Sequence, residues 1–517
     1  MQDERIISEV IRILQKRRSV LLSEVISSHI PSSTKQKQPS YSIDYLRNTL
    51  EEKGFIVSVL GKDIEITRKT RDEPLLLALN PAEKKRLDSY LNNPALPGPL
   101  ETIIEQYIEK KTGKQIDDPV LLERLRRAIQ AQKGEYWKEG MTKKVHYEQG
   151  YNVFAYLAYQ FPVYFIQFEH ILARLVKARR FPGNARILDI GSGPGAAALA
   201  TMDFLCRFSK GNATLYALER SAEQREAYSF LTTRFASLTH CRDFLEPLDG
   251  DLMTVQPGML PRDLDLIVIQ NVFNELTTAS LAEKASRIMD LSGLLSETGM
   301  MLITEPADME NSVSLRMLAG LAEKKGMHVN APCRPGWMKT CNPSRCWSFI
   351  EHPALVPTAL MKRLSGVTEA YRYSNVDLKY SFVFLSPGNP VSTEGGSADF
   401  RRKYSPLSSV SRNVGKRINT RAAVMSCDLG NRETHLWKIC DGSPQKPVYA
   451  VMPAYHSSPS NHSLGKADYG EIVEIHGALV RYNSRYDSYN LLITRNTDVI
   501  LPVHGTRSSR KSRSKNP

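Results

Sequence analysis

Apolar residues recur at helical spacing at Ile6, Ile7, Val10, Ile13 and Leu14, again over residues 21–30, and again over 43–50. A period-two ribbon follows from Phe55 to Thr67, turning at Gly61 and Lys62. Three short helices and a hairpin in that order predict a winged-helix-like unit. A helical connector follows. The apolar stretch 151–180 predicts a long, mostly buried helix whose aromatics serve packing. Beyond it strands and helices alternate, with strands expected at 186–190, 213–219, 237–241, 264–270 and 300–304, and a closing pair near 369–373 and 379–385. Such alternation predicts an α/β fold, a parallel sheet covered on both faces, whose ligand site lies at the carboxyl ends of the strands. Residues 387–423 break the pattern with Pro, Ser, Gly and basic residues. Short alternating segments at 470–482 and 486–495, joined by the turn 483–485, then predict a small OB-like β-barrel. The expected organisation is a winged-helix-like domain at 1–72, a connector at 73–140, and an α/β domain at 141–386 with a cysteine insert at 328–352. A basic linker at 387–424, the barrel at 425–505 and a basic tail at 506–517 complete it.

The 517 residues exceed what one core sustains, and 41% hydrophobic with 24% charged residues describes a globular chain. Lys and Arg number 69 against 55 acids, a formal charge of +14, which points to a polyanionic partner such as nucleic acid. No apolar run has membrane-spanning length, and the acids in MQDERIISEV argue against a leader, so a cytoplasmic protein is expected. Seven cysteines without an export signal argue against a disulfide framework. Cys206 and Cys241 sit among apolar residues and are expected to be core thiols.

The segment ARILDIGSGPGAAALA, residues 185–200, ends an apolar strand at Asp189 and places Gly191, Gly193 and Gly195 before an Ala-rich helix. Glycines let the chain turn sharply off the strand and bring a cofactor against bare backbone at a helix N-terminus. Gly191 to Ala196 also fits the dinucleotide pattern G-x-G-x-x-A, so NAD is weighed beside S-adenosylmethionine. The D-x-G-x-G-x-G spacing favours the latter, with Asp189 facing a cationic methionyl group and Glu219 accepting the ribose hydroxyls. Asp243, past a third strand at SLTHC, is expected to approach the adenine. Asn271, Asn274 and Glu275 follow the strand LDLIVIQ at the mouth where an acceptor enters. A Pro-Pro-Tyr type tetrapeptide for exocyclic amines is missing there, and so is a cysteine pair of the kind a pyrimidine methylase uses. No catalytic base or nucleophile is named.

The insert APCRPGWMKTCNPSRCWSF holds Cys333-x7-Cys341-x4-Cys346 among turn residues. C-x2-C zinc knuckles are absent, and an iron-sulfur cluster tolerates the looser spacing but needs a fourth thiolate. Cys427 is the first choice and Cys440 the second, while His328 or His352 would complete a zinc site instead.

Together DIGSGPGAA, LITEPAD, HVNAPC with its spaced cysteines, and LKYSFVFLS resemble the small-ribosomal-subunit methyltransferase-like family over roughly residues 145–440. The resemblance implies a class I S-adenosylmethionine-dependent methyltransferase fold and a role in assembly or translation of the small ribosomal subunit. It also implies a four-iron cluster on four cysteines, which fall on Cys333, Cys341, Cys346 and Cys427. The first interval between cysteines is longer, and the second shorter, than in the organellar members. The expected function is methylation of small-subunit ribosomal RNA, with a noncatalytic RNA-binding assembly factor as the alternative.

Overall fold

The structure, a computed structural model, describes residues 6–10, 13, 19–29, 42–52, 55–60, 63–68, 75–136, 150–209, 211–239, 243–333, 341–367, 369–387 and 404–501. Cys241, residues 388–403 of the expected linker and the basic tail lie outside them.

Near the N-terminus, strand β1 (Ser19–Leu21) precedes helices Leu22–His29 and Ile43–Glu52, and the hairpin of β2 (Phe55–Leu60) and β3 (Asp63–Arg68) follows. The strands pair antiparallel in the order β1-β3-β2, over a small core that includes Val10, Val25, Leu46, Leu50 and Ile66. This is a winged-helix-like arrangement. Residues 73–140 do more than connect. Leu87, Ile104, Tyr107 and Leu121, on helices Pro81–Leu91, Gly98–Thr112 and Pro119–Tyr136, belong to the same apolar core as the central sheet.

The expected long helix is two, Asn152–Tyr159 and Phe161–Lys177, with Pro162 in the first turn of the second. A proline cannot donate in a helix interior but is tolerated at a helix start, so the chain breaks there and resumes. The sheet then builds from β4 (Asn184–Ile190), β5 (Asn212–Glu219), β6 (Leu248–Asp249), β7 (Leu264–Gln270) and β8 (Leu295–Pro306), followed by β9 (His328–Ala331), β10 (Ile350–His352) and β11 (Leu378–Ser386). β6-β5-β4-β7-β8 are parallel, β11 runs antiparallel beside β8, and β9 and β10 both pair with β11 on its other side. With β4 to β8 counted one to five, β9 six and β11 seven, the order is 3-2-1-4-5-7-6 with the seventh strand reversed. This is the Rossmann-like sheet of a class I methyltransferase. Two expected strands fail. Residues 370–373 form a 3-10 helix, and β9 takes their place beside β11. The third strand is Leu248–Asp249 rather than 237–241.

The C-terminal strands are β12 (Arg417–Val424), β13 (Thr434–Cys440), β14 (Val448–Pro453), β15 (Ile472–Asn483), β16 (Ser488–Leu492) and β17 (Asp498–Ile500). The first five close into a barrel through the pairs β12–β13, β13–β14, β14–β16, β16–β15 and β15–β12, with β14 and β16 parallel. That 1-2-3-5-4-1 circuit is OB-like. Its interior holds Leu407, Val410, Ile418, Trp437, Ile475, Val480 and Leu491. The barrel therefore begins inside the expected linker 387–424, because β12 and the 3-10 helix Leu407–Asn413 are part of it.

The barrel is seated on the methyltransferase-like unit. Arg174 Nη2 donates to Tyr469 O at 2.6 Å, and Lys438 Nζ to Trp347 O at 2.7 Å. Gly470, at φ +84°, lies so close to Pro332 that a Cβ there would meet Pro332 O at 1.8 Å. Among the described residues no helix is long and apolar enough to cross a membrane.

Candidate cofactor cradle and cysteine cluster

The loop after β4 is built from left-handed glycines. Gly191, Gly193 and Gly195 have φ of +70°, +53° and +91°. A Cβ on Gly191 would meet Val272 Cγ2 at 2.6 Å, and one on Gly195 would meet Tyr228 Cδ2 at 2.8 Å, so both positions require glycine by packing as well as by backbone conformation. Gly193 faces more open space, where the nearest atoms to an added Cβ are Tyr156 Oη at 3.7 Å and Gln224 Oε1 at 3.9 Å.

Asp189 is 5% exposed at the end of β4. Burial, reinforced by Glu219, pushes its carboxyl up to about 8. Glu219 accepts from Gly193 N at 2.9 Å through Oε2 and from Ser221 N at 2.8 Å through Oε1. Each carboxylate oxygen keeps a further lone pair, so the group still has capacity for two hydroxyls. Desolvation raises its pKa too. Tyr156, which sequence reading assigned to packing, is acted on by Tyr164, Glu275, Asp189 and Glu219, and so stands amid the acids of the cradle. A signal for it existed in the aromatic run before the glycine loop, but nothing in its spacing separates a residue beside the loop from a core residue. The arrangement suits a cationic ligand carrying a diol.

Asp243 is not part of it. Its carbonyl accepts from Leu215 N and its carboxylate from Asn212 Nδ2, which places it at the start of β5, at the opposite end of that strand from Glu219. Seven residues of strand separate the two ends, roughly 23 Å. The residues that do follow the third strand are Gly250 and Asp251, the latter ion-paired with Arg220.

Asn271 has φ +55°, donates its N–H to Thr304 O at 2.9 Å, and keeps a buried Nδ2 without an acceptor. Asn274 Oδ1 is likewise buried and unpartnered. Phe273, in contrast, is 3% exposed, and its N–H donates to Glu305 Oε1. Burial pushes the Glu305 carboxyl up to about 8, with Lys284 opposing.

At the sheet's far edge, Cys333, Cys341, Cys346 and Cys440 act on one another electrostatically. The backbone shows how. Ala423 pairs with Cys440 between β12 and β13, Val424 O accepts from Gly470 N, and Gly470 rests on Pro332 next to Cys333. Burial pushes the thiols of Cys333 and Cys440 up to about 12. Cys427 points elsewhere. Its Sγ donates to Glu351 Oε2 at 3.7 Å, and it lines a cavity of about 520 Å³ with His352, His435 and Trp437. His352 stacks on His170 with ring centroids 3.7 Å apart. Cys206 is exposed rather than a core thiol. Among the described residues, no group of three or more His, Cys, Asp or Glu side chains is arranged to hold a metal ion.

Residues 150–349 match the model of the family described as mitochondrial small ribosomal subunit Rsm22. That segment is similar to the Rsm22 family. The Rsm22 segment takes in the glycine loop, β4 to β9, and Cys333, Cys341 and Cys346, and it stops before the barrel. Residues 408–502 match the C-terminal domain of a family of unknown function, DUF8157. No curated protein matches the chain. Among solved structures, an S-adenosylmethionine-dependent methyltransferase from Clostridium acetobutylicum shares 17% identity at TM-score 0.21, over 28% of this chain and 50% of its own. This chain thus spans half the length of that relative. Magnesium protoporphyrin IX methyltransferase from Synechocystis, with S-adenosylmethionine bound, shares 16% at TM-score 0.26, over 46% of this chain and 90% of its own. A fibrillarin/Nop5p complex shares 14% at TM-score 0.24, over 43% and 83%. The fold assignment rests on the strand order and the Rsm22 match.

Proposed function

We propose that this chain binds S-adenosylmethionine in the loop 189–195 and acts in the small ribosomal subunit, methylating its ribosomal RNA. The observation that carries the cofactor reading is the pairing of buried Asp189 with Glu219 around left-handed Gly193, a cradle that offers anionic partners to a cation and its ribose. NAD, which bears phosphates, finds two buried acids there instead. Asn271 and Asn274 present unpartnered amide groups at the acceptor mouth and supply hydrogen bonds to an incoming base. The small-subunit setting is supported by the Rsm22 match, and ribosomal RNA as the partner by the +14 charge and the OB-like barrel. The free cysteines suit a reducing compartment such as the cytoplasm.

A second reading, a noncatalytic assembly factor that binds cofactor and RNA without turnover, is favoured by Phe273. Buried in the core, that ring is withdrawn from the mouth where an aromatic would hold an acceptor base.

For the cysteine centre, Cys333, Cys341, Cys346 and, from the barrel, Cys440 rather than Cys427 are the proposed ligands. A four-iron cluster held there would supply a structural link between insert and barrel, since metal-binding energy becomes folding energy. Zinc is the alternative occupant.

Calorimetry with S-adenosylmethionine tests the cofactor reading, and transfer of labelled methyl groups to small-subunit RNA separates the two functions. Gly193→Val is expected to abolish binding, because a β-branched side chain resists a positive φ and would grow toward Tyr156 and Gln224. Tight NAD binding with none of S-adenosylmethionine would overturn the proposal.

A further inference from the structure

Trp437, Ala450, Leu491 and Val480 lie in the barrel interior, so the residues next to them on β13, β14, β16 and β15 point outward. Strand register sets four of these in one row, with Lys438 opposite Tyr449, Tyr449 beside Asn490, and Asn490 opposite Arg481. Three strand spacings separate its ends, roughly 14 Å. Among the described residues no carboxylate pairs with Lys438 or Arg481, and the Tyr449 hydroxyl and the Asn490 side-chain amide have no hydrogen-bond partner.

The row continues off the barrel. Lys438 Nζ donates to Trp347 O at 2.7 Å, and Trp347 Nε1 donates to Ala307 O at 3.0 Å. Ala307 directly follows β8, whose Thr304 carbonyl accepts from Asn271 N and whose Glu305 carboxylate accepts from Phe273 N. Trp347 is 46% exposed, and the Phe349 ring centre lies 6.0 Å from its own. One end of the row therefore reaches the carboxyl end of the sheet, beside the acceptor mouth. The other end, at Arg481, leads into the β15–β16 hairpin.

An ammonium and a guanidinium free of acids suit phosphates, aromatic rings suit base faces, and an amide suits base edges. A duplex covers its base faces and uses the cations alone. The next outward row, with Leu436, Leu492 and Leu479, is apolar and by itself would suit a protein segment. The unpaired cations beside it, on a chain of formal charge +14, select a polyanion.

We propose that this row and Trp347 form one track for a single strand of RNA, laid across the barrel and delivered at Trp347 to the acceptor mouth. The target nucleotide is thus an unpaired one. The track rests on the RNA partner proposed above and adds to it a path and a strandedness.

The test uses the full chain, an unpaired RNA of about 10 nucleotides, and the same RNA annealed to its complement. Trp347→Ala and Tyr449→Ala are each expected to weaken single-strand binding by roughly 5- to 150-fold, the worth of one stacked base, and to leave duplex binding unchanged. Arg481→Ala should weaken both forms and reduce the salt slope by about one phosphate. Should the alanine variants fail to fold, Trp347→Leu and Tyr449→Leu, which keep apolar bulk without a ring, take their place with the same expected loss. Photocrosslinking of a thiouridine-labelled strand should reach both Trp347 and Tyr449. Variants that match the parent, with crosslinks confined to the hairpin or the basic segments, would overturn the track and leave the RNA partner standing. Equal losses for single strand and duplex would overturn the strandedness. If Tyr449→Ala abolishes binding of a polyglutamate peptide but not of RNA, the face belongs to a protein partner and the track is wrong. A parent chain that binds no RNA at low salt would remove the RNA partner, and the track with it.

Discussion

Asp189 is a carboxyl that burial and a neighbouring acid hold up to about 8, which would make the proposed binding of S-adenosylmethionine a proton-linked event. Below pH 8 the free protein carries Asp189 protonated, whereas a cationic methionyl group favours the ionised form. Affinity for S-adenosylmethionine is therefore expected to rise by up to about tenfold per pH unit between 6 and 8 and to level off above, with protons released on binding. Calorimetry in buffers of different ionisation enthalpy measures that release, and Asp189→Asn should abolish it and weaken binding at pH 8. The linkage also acts on the free fold. A raised carboxyl pKa means that the native state binds more protons than the unfolded chain between about 4 and 8, so Asp189 and Glu305 both make stability fall as pH rises through that window. A pH series of thermal unfolding curves without cofactor checks the sign. Asp189, the three glycines and Glu219 were legible in the sequence because a strand-loop-helix turn is local, fixed by contiguous residues. Asp243 is misplaced by the sequence because the stretch from 243 runs alongside β5 toward Leu248–Asp249, so Asp243 enters that pairing rather than leaving it. Tyr156 hides among aromatics whose spacing is that of core packing.

Elements whose borders are set by distant partners were the harder part to read. The strand–helix alternation of 184–306 showed in the apolar pattern, since a doubly covered sheet needs continuous apolar runs. β9, the polar-flanked His328–Ala331, did not, because it is an edge strand recruited by β11. β12 was hidden in basic composition. Its alternate residues Ile418, Thr420 and Ala422 face the barrel interior while Arg417 and Arg421 lie on the other face, an amphipathic strand that reads as a charged linker. The same long-range pairing sets where the two later cysteines lie. Cys440 ends β13 opposite Ala423 and is carried toward Pro332, whereas Cys427 lies in the β12–β13 loop, which turns to Glu351. The junction gives a prediction at this scale. Gly470→Ala places a Cβ on the Pro332 carbonyl and forces a residue with φ +84° into strain, so it is expected to destabilise the docked barrel by about 1–3 kcal/mol. Gly415, also at positive φ but with open space around its Cβ position, is the control. Thermal unfolding of the two variants should separate backbone strain, common to both, from loss of the junction, specific to Gly470→Ala.

Over the whole molecule, the excess of 14 positive charges is visible from composition alone. On the barrel, the β15–β16 hairpin projects Tyr482 and Tyr486, 44% and 66% exposed, with the Arg485 guanidinium 5.3 Å from the centre of the Tyr486 ring. Tyr489 pairs with Tyr482 across the hairpin and packs partly against the barrel core, so of the three tyrosines it is the one committed to structure. An exposed ring flanked by arginine is the geometry on which an unpaired base stacks, and this turn is the fourth-to-fifth-strand loop by which OB barrels hold single strands. The charge and the ring predict different signatures. Phosphate contacts release counterions, so binding to small-subunit RNA is expected to weaken steeply between low and physiological salt, and removing the basic residues 506–517 should make that dependence shallower. Stacking releases none. Tyr486→Ala should therefore lower affinity at every salt concentration, by about 1–3 kcal/mol for a stacked base, and leave the slope of affinity against salt unchanged. Fluorescence anisotropy of a labelled single-stranded segment of small-subunit RNA, titrated at several salt concentrations, reads both quantities at once. A Tyr486→Ala protein that matches the parent throughout would take the hairpin out of the interface.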